Sequence, residues 1–259
     1  MPDTAVAKGT RPEGAQSEAD ASRQVREMFS QIAPRYDLLN HLLSLQFDRL
    51  WRARVTRRLR PILDRPDALA LDLCCGTGDL ALSLAAAGKS RVIGADFAHP
   101  MLIRAKEKSA SAFGSSAHRD AHAISLCEAD ALRLPFADCS FDLVTTAFGF
   151  RNLASYEAGL REILRVLKPG GTLAILEFTE PPAGFLGGLY RWYFRNVLPR
   201  LGGLISGDRS AYTYLPASVS RFFRPAELSS LMKSVGYSEL DFCIWTLGTV
   251  ALHTAVRPS

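Results

Sequence analysis

Ala68-Leu69-Ala70-Leu71-Asp72-Leu73-Cys74-Cys75-Gly76-Thr77-Gly78-Asp79 decides the fold of this 259-residue chain. A short apolar run, 68–73, ends in a turn that carries two glycines, and residues 78–87 then read as a helix. Gly76 and Gly78 permit positive φ and let a ligand come close to the backbone. Downstream the same grammar repeats. Strands are expected over 91–97, 124–129, 141–148 and 172–178, and helices over 100–110 and 156–167. Pro169-Gly170-Gly171 reads as a turn before the last of these strands. Alternating strands and helices predict an α/β fold, a Rossmann-like parallel sheet with helices on both faces. Right-handed crossovers place the strand ends along one rim.

The flanks differ from this core. Val25, Met28, Phe29 and Ile32 stand at helical spacing from about residue 22, and Pro34 breaks the pattern. A second helix is expected over 38–59, closed by Pro61. Residues 1–20 lack periodicity and read as a disordered tail. A helix over 225–236 and two strands within 237–256, joined near Gly248, add a final antiparallel hairpin and bring the strands to seven. The expected organisation is therefore a tail (1–20) and a single domain (21–259). Within it, 22–62 form N-terminal helices and 181–224 a helical cap insertion.

Composition bounds the function. The chain is 47% hydrophobic and 22% charged, which supports one sizeable core. No apolar run approaches the roughly 20 residues of a membrane-spanning helix. The polar N-terminus has no signal-peptide core, so a cytoplasmic protein is expected. The five cysteines, Cys74, Cys75, Cys127, Cys139 and Cys243, form no Cys-x-x-Cys pair, so neither a metal site nor a disulfide framework is expected. The net charge is +5 and many arginines fall between Arg49 and Arg65, which fits an anionic surface or a solvated helix face.

The turn lacks the third glycine of Gly-x-Gly-x-x-Gly, and Asp79 follows within it. Both features suit a cationic or amino-acid ligand better than a pyrophosphate. Asp96 ends the second strand, where a carboxylate can accept from both hydroxyls of a ribose or simply cap the next helix. Asp130 follows the third strand and can accept from an adenine amino group, with Ala131 against the ring.

As a set, the glycine turn, Asp96, the Asp130 loop and Leu167-Lys168-Pro169-Gly170-Gly171 resemble the class I S-adenosylmethionine methyltransferases. The resemblance implies S-adenosyl-L-methionine as cofactor. Asp72, Gly76, Thr77 and Gly78 would line its methionine part, Asp96 its ribose, Asp130 and Ala131 its adenine, and Ala147 would stand beside it. A closer resemblance covers residues 24–256. Tyr36-Asp37, Asn40, Ser44, Arg49 and Trp51, then Phe148-Gly149-Phe150-Arg151-Asn152, Val197-Leu198-Pro199-Arg200, Tyr212 to Leu215, and Val250-Ala251-Leu252-His253 resemble the ubiquinone/menaquinone biosynthesis C-methyltransferases. Gln46, Asp48 and Ala147 depart from that pattern.

This resemblance implies carbon methylation of a prenylated quinol. Demethylmenaquinol is the expected acceptor, with the benzoquinol precursor of ubiquinone as the alternative and an RNA methyltransferase or a non-catalytic scaffold further behind. A ring carbon becomes nucleophilic when the neighbouring hydroxyl ionises, so an ordinary phenol near pKa 10 must be stabilised as its anion. Arg151 is the candidate for holding the phenolate, although it could instead pair with Asp142 or Glu177. Tyr36 could orient the hydroxyl or only pack the N-terminal helices. The resemblance implies that Asp96, Arg151 and Tyr36 act together. His41 and His253 read as structural. Phe185, Leu189, Trp192, Tyr193 and Phe194, with Arg191, Arg195 and Arg200 between them, would suit the lid of an apolar pocket or a peripheral contact with the inner face of the cell membrane. No nucleic-acid partner is expected, and a homo-oligomer is left open.

Overall fold

The computed structural model describes residues 9–12, 14–37, 44, 46–113, 124–180, 188 and 210–259. The apolar run before the glycine turn forms β1 (Leu69–Leu73), fully buried from Ala70 onward, as a strand covered on both faces must be. Around it lie β2 (Arg91–Asp96), β3 (Ser125–Glu128), β4 (Phe141–Ala147), β5 (Leu167–Phe178), β6 (Ser238–Trp245) and β7 (Val250–Val256). They form one seven-stranded sheet in the order β3-β2-β1-β4-β5-β7-β6. Strands β1 to β5 are parallel, and β7 runs antiparallel to both neighbours. The expected α/β sheet of seven strands with a terminal antiparallel hairpin is what the chain builds.

Described helices are α1 (Glu18–Ile32), α2 (Phe47–Leu63), α3 (Asp79–Ala87), α4 (His99–Phe113), α5 (Tyr156–Val166), α6 (Ser210–Arg221) and α7 (Pro225–Val235). One apolar cluster joins β1, β4 and β5 to α5 and α7 through Leu160, Ile163, Leu228 and Met232. The other joins the opposite face to α2 and α3 through Trp51, Val55, Leu59, Leu63 and Leu84. The stripe on α2 repeats every four residues, which sets one face of the helix on the sheet.

Four expectations need correction. The stretch expected to be a tail is ordered from residue 14 to 20: Ser17 accepts from Asp20 N at 3.1 Å, and this cap starts α1 at Glu18. Residues 9–12 are also packed, since Thr10 is buried and its N–H donates to Leu153 O at 2.7 Å. Pro61 does not close α2, which runs on to Leu63. Leu63 is fully buried and its carbonyl accepts from Lys89 and Ser90 at 2.7 and 2.9 Å; those contacts outweigh the one ladder bond that proline removes. The same helix starts at Phe47 rather than residue 38, because Gln46 takes a left-handed φ of 66°; residues 38–43 and 45 lie outside the described residues. Finally, Pro169-Gly170-Gly171 sits inside β5. The pairing jumps from Phe141 with Leu167 to Leu143 with Thr172, so the turn is absorbed as a bulge. The aromatic stretch 185–205 and most of the expected cap, apart from Gly188, lie outside the described residues until α6 begins.

Candidate active site

The parallel strands end along one rim, and a cleft of about 630 Å³, partly open to solvent, lies there. Its floor holds Cys74, Gly76 and Asp96, and one wall holds Asp130, Ala131 and Leu132. The other wall is Ala147, Phe148, Gly149 and Asn152 to Ala154. Ser22, Phe29 and Tyr36 come from α1 and the turn after it, so the N-terminal helix roofs the cleft. The roof is fixed by Arg26, paired with Glu128, and by Ala33 packing on Ala98 and Met101.

Backbone geometry concentrates here. Cys74, Gly76 and Gly78 take φ of 55°, 55° and 85°, and Phe148 takes 59°. The loops after β1 and β4 touch: a Cβ on Gly149 would lie 2.4 Å from Cys74 Cβ. Left-handed conformations at residues with side chains cost about 1–3 kcal/mol each and cluster at ligand sites.

Asp96 is buried at the end of β2. Its Oδ2 accepts from Gly76 N at 2.9 Å and its Oδ1 from Ala98 N at 2.8 Å. Burial pushes its carboxyl up to about 6, and these amide donors offset part of that. Asp72 lies beneath the turn, outside the cleft lining. Thr145 donates to its Oδ1 at 2.8 Å, while its Oδ2 makes no full hydrogen bond. Burial pushes this carboxyl up to about 7, eased by Thr145 and the Ala81 amide. One carboxylate, Asp96, thus lines the cleft and a second, Asp72, lies behind it, each titrating close to neutrality. Such a site favours a cationic ligand with hydroxyl and amine donors.

The sequence-derived candidates divide. Gly76, Asp96, Asp130, Ala131, Ala147 and Tyr36 all line the cleft. Asp72, Thr77 and Gly78 stand behind it. Thr77 is buried and donates to Asp37 Oδ1 at 2.5 Å, and Lys108 Nζ reaches both Thr77 Oγ1 (3.0 Å) and Asp37 (2.8 Å). Arg151 is brought close but turned away. Its guanidinium pairs with Glu177 at 2.7 Å, donates to Phe148 O, and lies 5.3 Å from the Phe178 ring centre. It therefore pairs with Glu177, one of the two acids the sequence offered. Asp142 instead accepts from Arg65 at 2.8 Å and Lys168 at 2.6 Å. Ser44 donates to Asp48 at 2.6 Å, and Asp48 pairs with Arg52 at 2.7 Å. His253 is buried near Ser229 Oγ, and burial lowers its pKa to about 4, so it is neutral at physiological pH. Sequence reasoning missed Lys108 and Tyr214, of which Tyr214 lay in a stretch already singled out; Glu177 it offered only as one of two possible partners for Arg151.

The sheet order and a cleft of this chemistry at the rim define a class I methyltransferase fold. A solved structure of a SAM-dependent methyltransferase from Thermotoga maritima, titled a possible histamine N-methyltransferase, superposes with a TM-score of 0.61 at 18% identity, covering 90% of this chain and 99% of that one. Residues 16–257 match the ubiE/COQ5 methyltransferase family, and the chain belongs to that family. A demethylmenaquinone methyltransferase of Thermus thermophilus is 50% identical over 232 residues, 89% of this chain and all of the relative. One from Deinococcus radiodurans is 46% identical, covering 84% and 86%. A ubiquinone/menaquinone biosynthesis C-methyltransferase UbiE of Syntrophotalea carbinolica is 43% identical, covering 91% and 94%.

Proposed function

We propose that the protein methylates a ring carbon of demethylmenaquinol, using S-adenosylmethionine. The observation that carries this reading is that full-length relatives at 50% and 46% identity bear the name demethylmenaquinone methyltransferase. The cleft fits the cofactor. Asp96 retains lone pairs toward the cleft after accepting two amides, which suits a ribose diol. Asp130 and Ala131 offer an acceptor and an apolar surface to adenine, and Gly76 leaves the floor bare for the methionine part, with the Asp72 carboxyl beneath the turn. Bound there, the sulfonium supplies an electrophilic methyl group.

The remaining residues handle the acceptor. Tyr36 and Asp96 face one cleft, so a quinol hydroxyl held there can pass its proton to a carboxylate whose pKa, about 6, makes it a better base than an ordinary one. Arg151 acts from behind the wall: it holds the Phe148 carbonyl and adds positive charge that Glu177 partly neutralises. Phe148, Phe178 and Trp51 pack tilted or edge-to-face at 4.5, 5.7 and 6.2 Å between ring centres, an aromatic lane leading away from the cleft. It ends at Phe47, stacked on Trp51 and 43% exposed, beside Leu50 at 43%. Trp51 Nε1 donates to Thr246 at 2.7 Å, which brings the turn carrying Leu247, 72% exposed, to the same place. Arg54 and Arg57 continue the stripe of Phe47 and Leu50 along α2. No helix among the described residues is long and apolar enough to cross a membrane. Our reading is a protein at the cytoplasmic side that meets the bilayer here, with residues 181–224 as substrate-side cap.

The purified enzyme is tested with labelled cofactor and both acceptors. Transfer to demethylmenaquinol supports the reading, transfer only to the benzoquinol favours the alternative that the relative's double name raises, and transfer to neither refutes both.

A further inference from the structure

The cleft wall from Phe148 to Ala154 is held from the side opposite the sheet. Tyr214, on α6, donates its single hydroxyl proton to Asn152 Oδ1 at 3.0 Å. The contact between Thr10 Oγ1 and Tyr214 Oη, at 2.9 Å, must then use the threonine proton. Asn152 Nδ2 in turn donates to Phe148 O at 3.3 Å. The result is a one-way relay: Thr10 to Tyr214 to Asn152 to the Phe148 carbonyl. Its last member is the residue with φ of 59°, whose N–H donates to Leu176 O at 2.8 Å. Phe148, Asn152, Leu153 and Ala154 all line the cleft.

The segment 9–12 is built into this wall. A Cβ on Gly9 would fall 2.2 Å from the Ala154 carbonyl carbon, so the strap lies backbone against backbone. Arg11 Nη1 donates to Ala154 O at 2.7 Å, and Arg221 of α6 reaches Arg11 O at 3.4 Å. Two segments some 200 positions apart are thus tied together at the edge of the cleft.

We propose that Thr10 and Tyr214 are positioning residues of the cleft. Through Asn152, and beside the Arg151 guanidinium that donates to the same carbonyl, they help keep Phe148 in its left-handed conformation and so set the wall against which the acceptor ring lies. The catalytic consequence rests on the quinol reading; the holding of the wall does not. Thr10→Val removes the hydroxyl at nearly constant shape and leaves Tyr214 without its donor. Tyr214→Phe breaks the relay in the middle.

Hydrogen exchange read by mass spectrometry on the full-length variants tests the holding. Exchange over 148–154 should quicken in Thr10→Val and Tyr214→Phe, stay at the wild-type rate in Thr10→Ser, and leave β1 unchanged. With demethylmenaquinol, kcat should fall about tenfold in the same two variants, the scale of a slightly misplaced acceptor, while cofactor Kd stays within about twofold. Unchanged exchange over 148–154, an increase spread evenly over the fold, or local quickening with full kcat would each overturn the proposal. A wild-type enzyme silent toward both quinols, with exchange still responding locally, would sink the quinol reading and support the relay.

Discussion

Asp72 and Asp96 are both buried, and they show how one residue type takes two roles from its place beside a cleft. Asp96 was singled out because it ends the second strand, and Asp72 because the family resemblance sets it at the methionine part, but no pattern in the sequence tells which faces the cleft. Asp96 does; Asp72 lies under the turn. Each has a folded pKa above the unfolded carboxylate value, so the native state holds the proton longer than the unfolded chain. Stability contributed this way is present below about pH 4 and is lost as pH rises toward the folded pKa, about 7 for Asp72. The loss is on the order of 4 kcal/mol for a shift of that size. Whatever constant offset the amide brings, the melting temperature of Asp72→Asn should gain on the wild type between about pH 4 and pH 7, and cofactor affinity should drop. A difference that stays flat with pH would show that Asp72 does not titrate there. Arg151 was legible as a conspicuous cation after β4, yet its partner was not, because Asp142 and Glu177 were equal in sequence. Arg151→Ala strands the buried Glu177 carboxylate and should destabilise the fold by about 3–5 kcal/mol. It should also lower kcat far more than cofactor affinity. Adding Glu177→Gln should restore much of the stability and none of the turnover; recovery of turnover would remove the arginine from the chemistry.

At the scale of elements, the strands and helices of the core were readable because both periodicities are strong and the turn chemistry is explicit. The errors fell where a contact distant in sequence overrides a local signal. Pro61 would end an isolated helix, but Leu63 is fixed from the side by Lys89 and Ser90. Pro169 to Gly171 would form a turn, but Gly170 N donates to Arg257 O and Arg257 N to Gly171 O, both at 2.9 Å, which draws the segment into the sheet beside β7. The stretch before α1 has no periodicity; residues 9–12 are held by distant partners at Leu153, Ala154, Tyr214 and Arg221, and the residues after them by the Ser17 cap. α1 itself predicts an outcome. Its contact with α4 is joined by Lys108, which ties Asp37 to Thr77 at the glycine turn. Lys108→Ala should weaken cofactor binding several-fold with little change in melting temperature, because the pairs are partly exposed. Calorimetry with S-adenosylmethionine measures it, and equal affinity would assign the cluster to surface charge alone.

At the scale of the whole molecule, sheet polarity explains why the parts converge. Parallel strands β1 to β5 end on one rim, and β7, running the other way, begins there. Glycine turn, cleft, aromatic lane and the exposed Leu247 turn therefore share one end of the protein. A lipid-soluble acceptor can then be met where the cofactor waits. Leu247→Asp combined with Leu50→Asp should abolish flotation with anionic vesicles while leaving transfer to a short-chain, water-soluble quinol near the wild-type level. Flotation unchanged in that variant would place any bilayer contact elsewhere. The most direct measurement of the central claim is transfer from S-adenosylmethionine carrying a deuterated methyl group to demethylmenaquinol, with the product's methyl position read by mass spectrometry and NMR. One deuterated methyl is expected on the ring carbon beside the hydroxyl, with S-adenosylhomocysteine formed in equal amount. Label found on oxygen, or no label in the quinol at all, would contradict it.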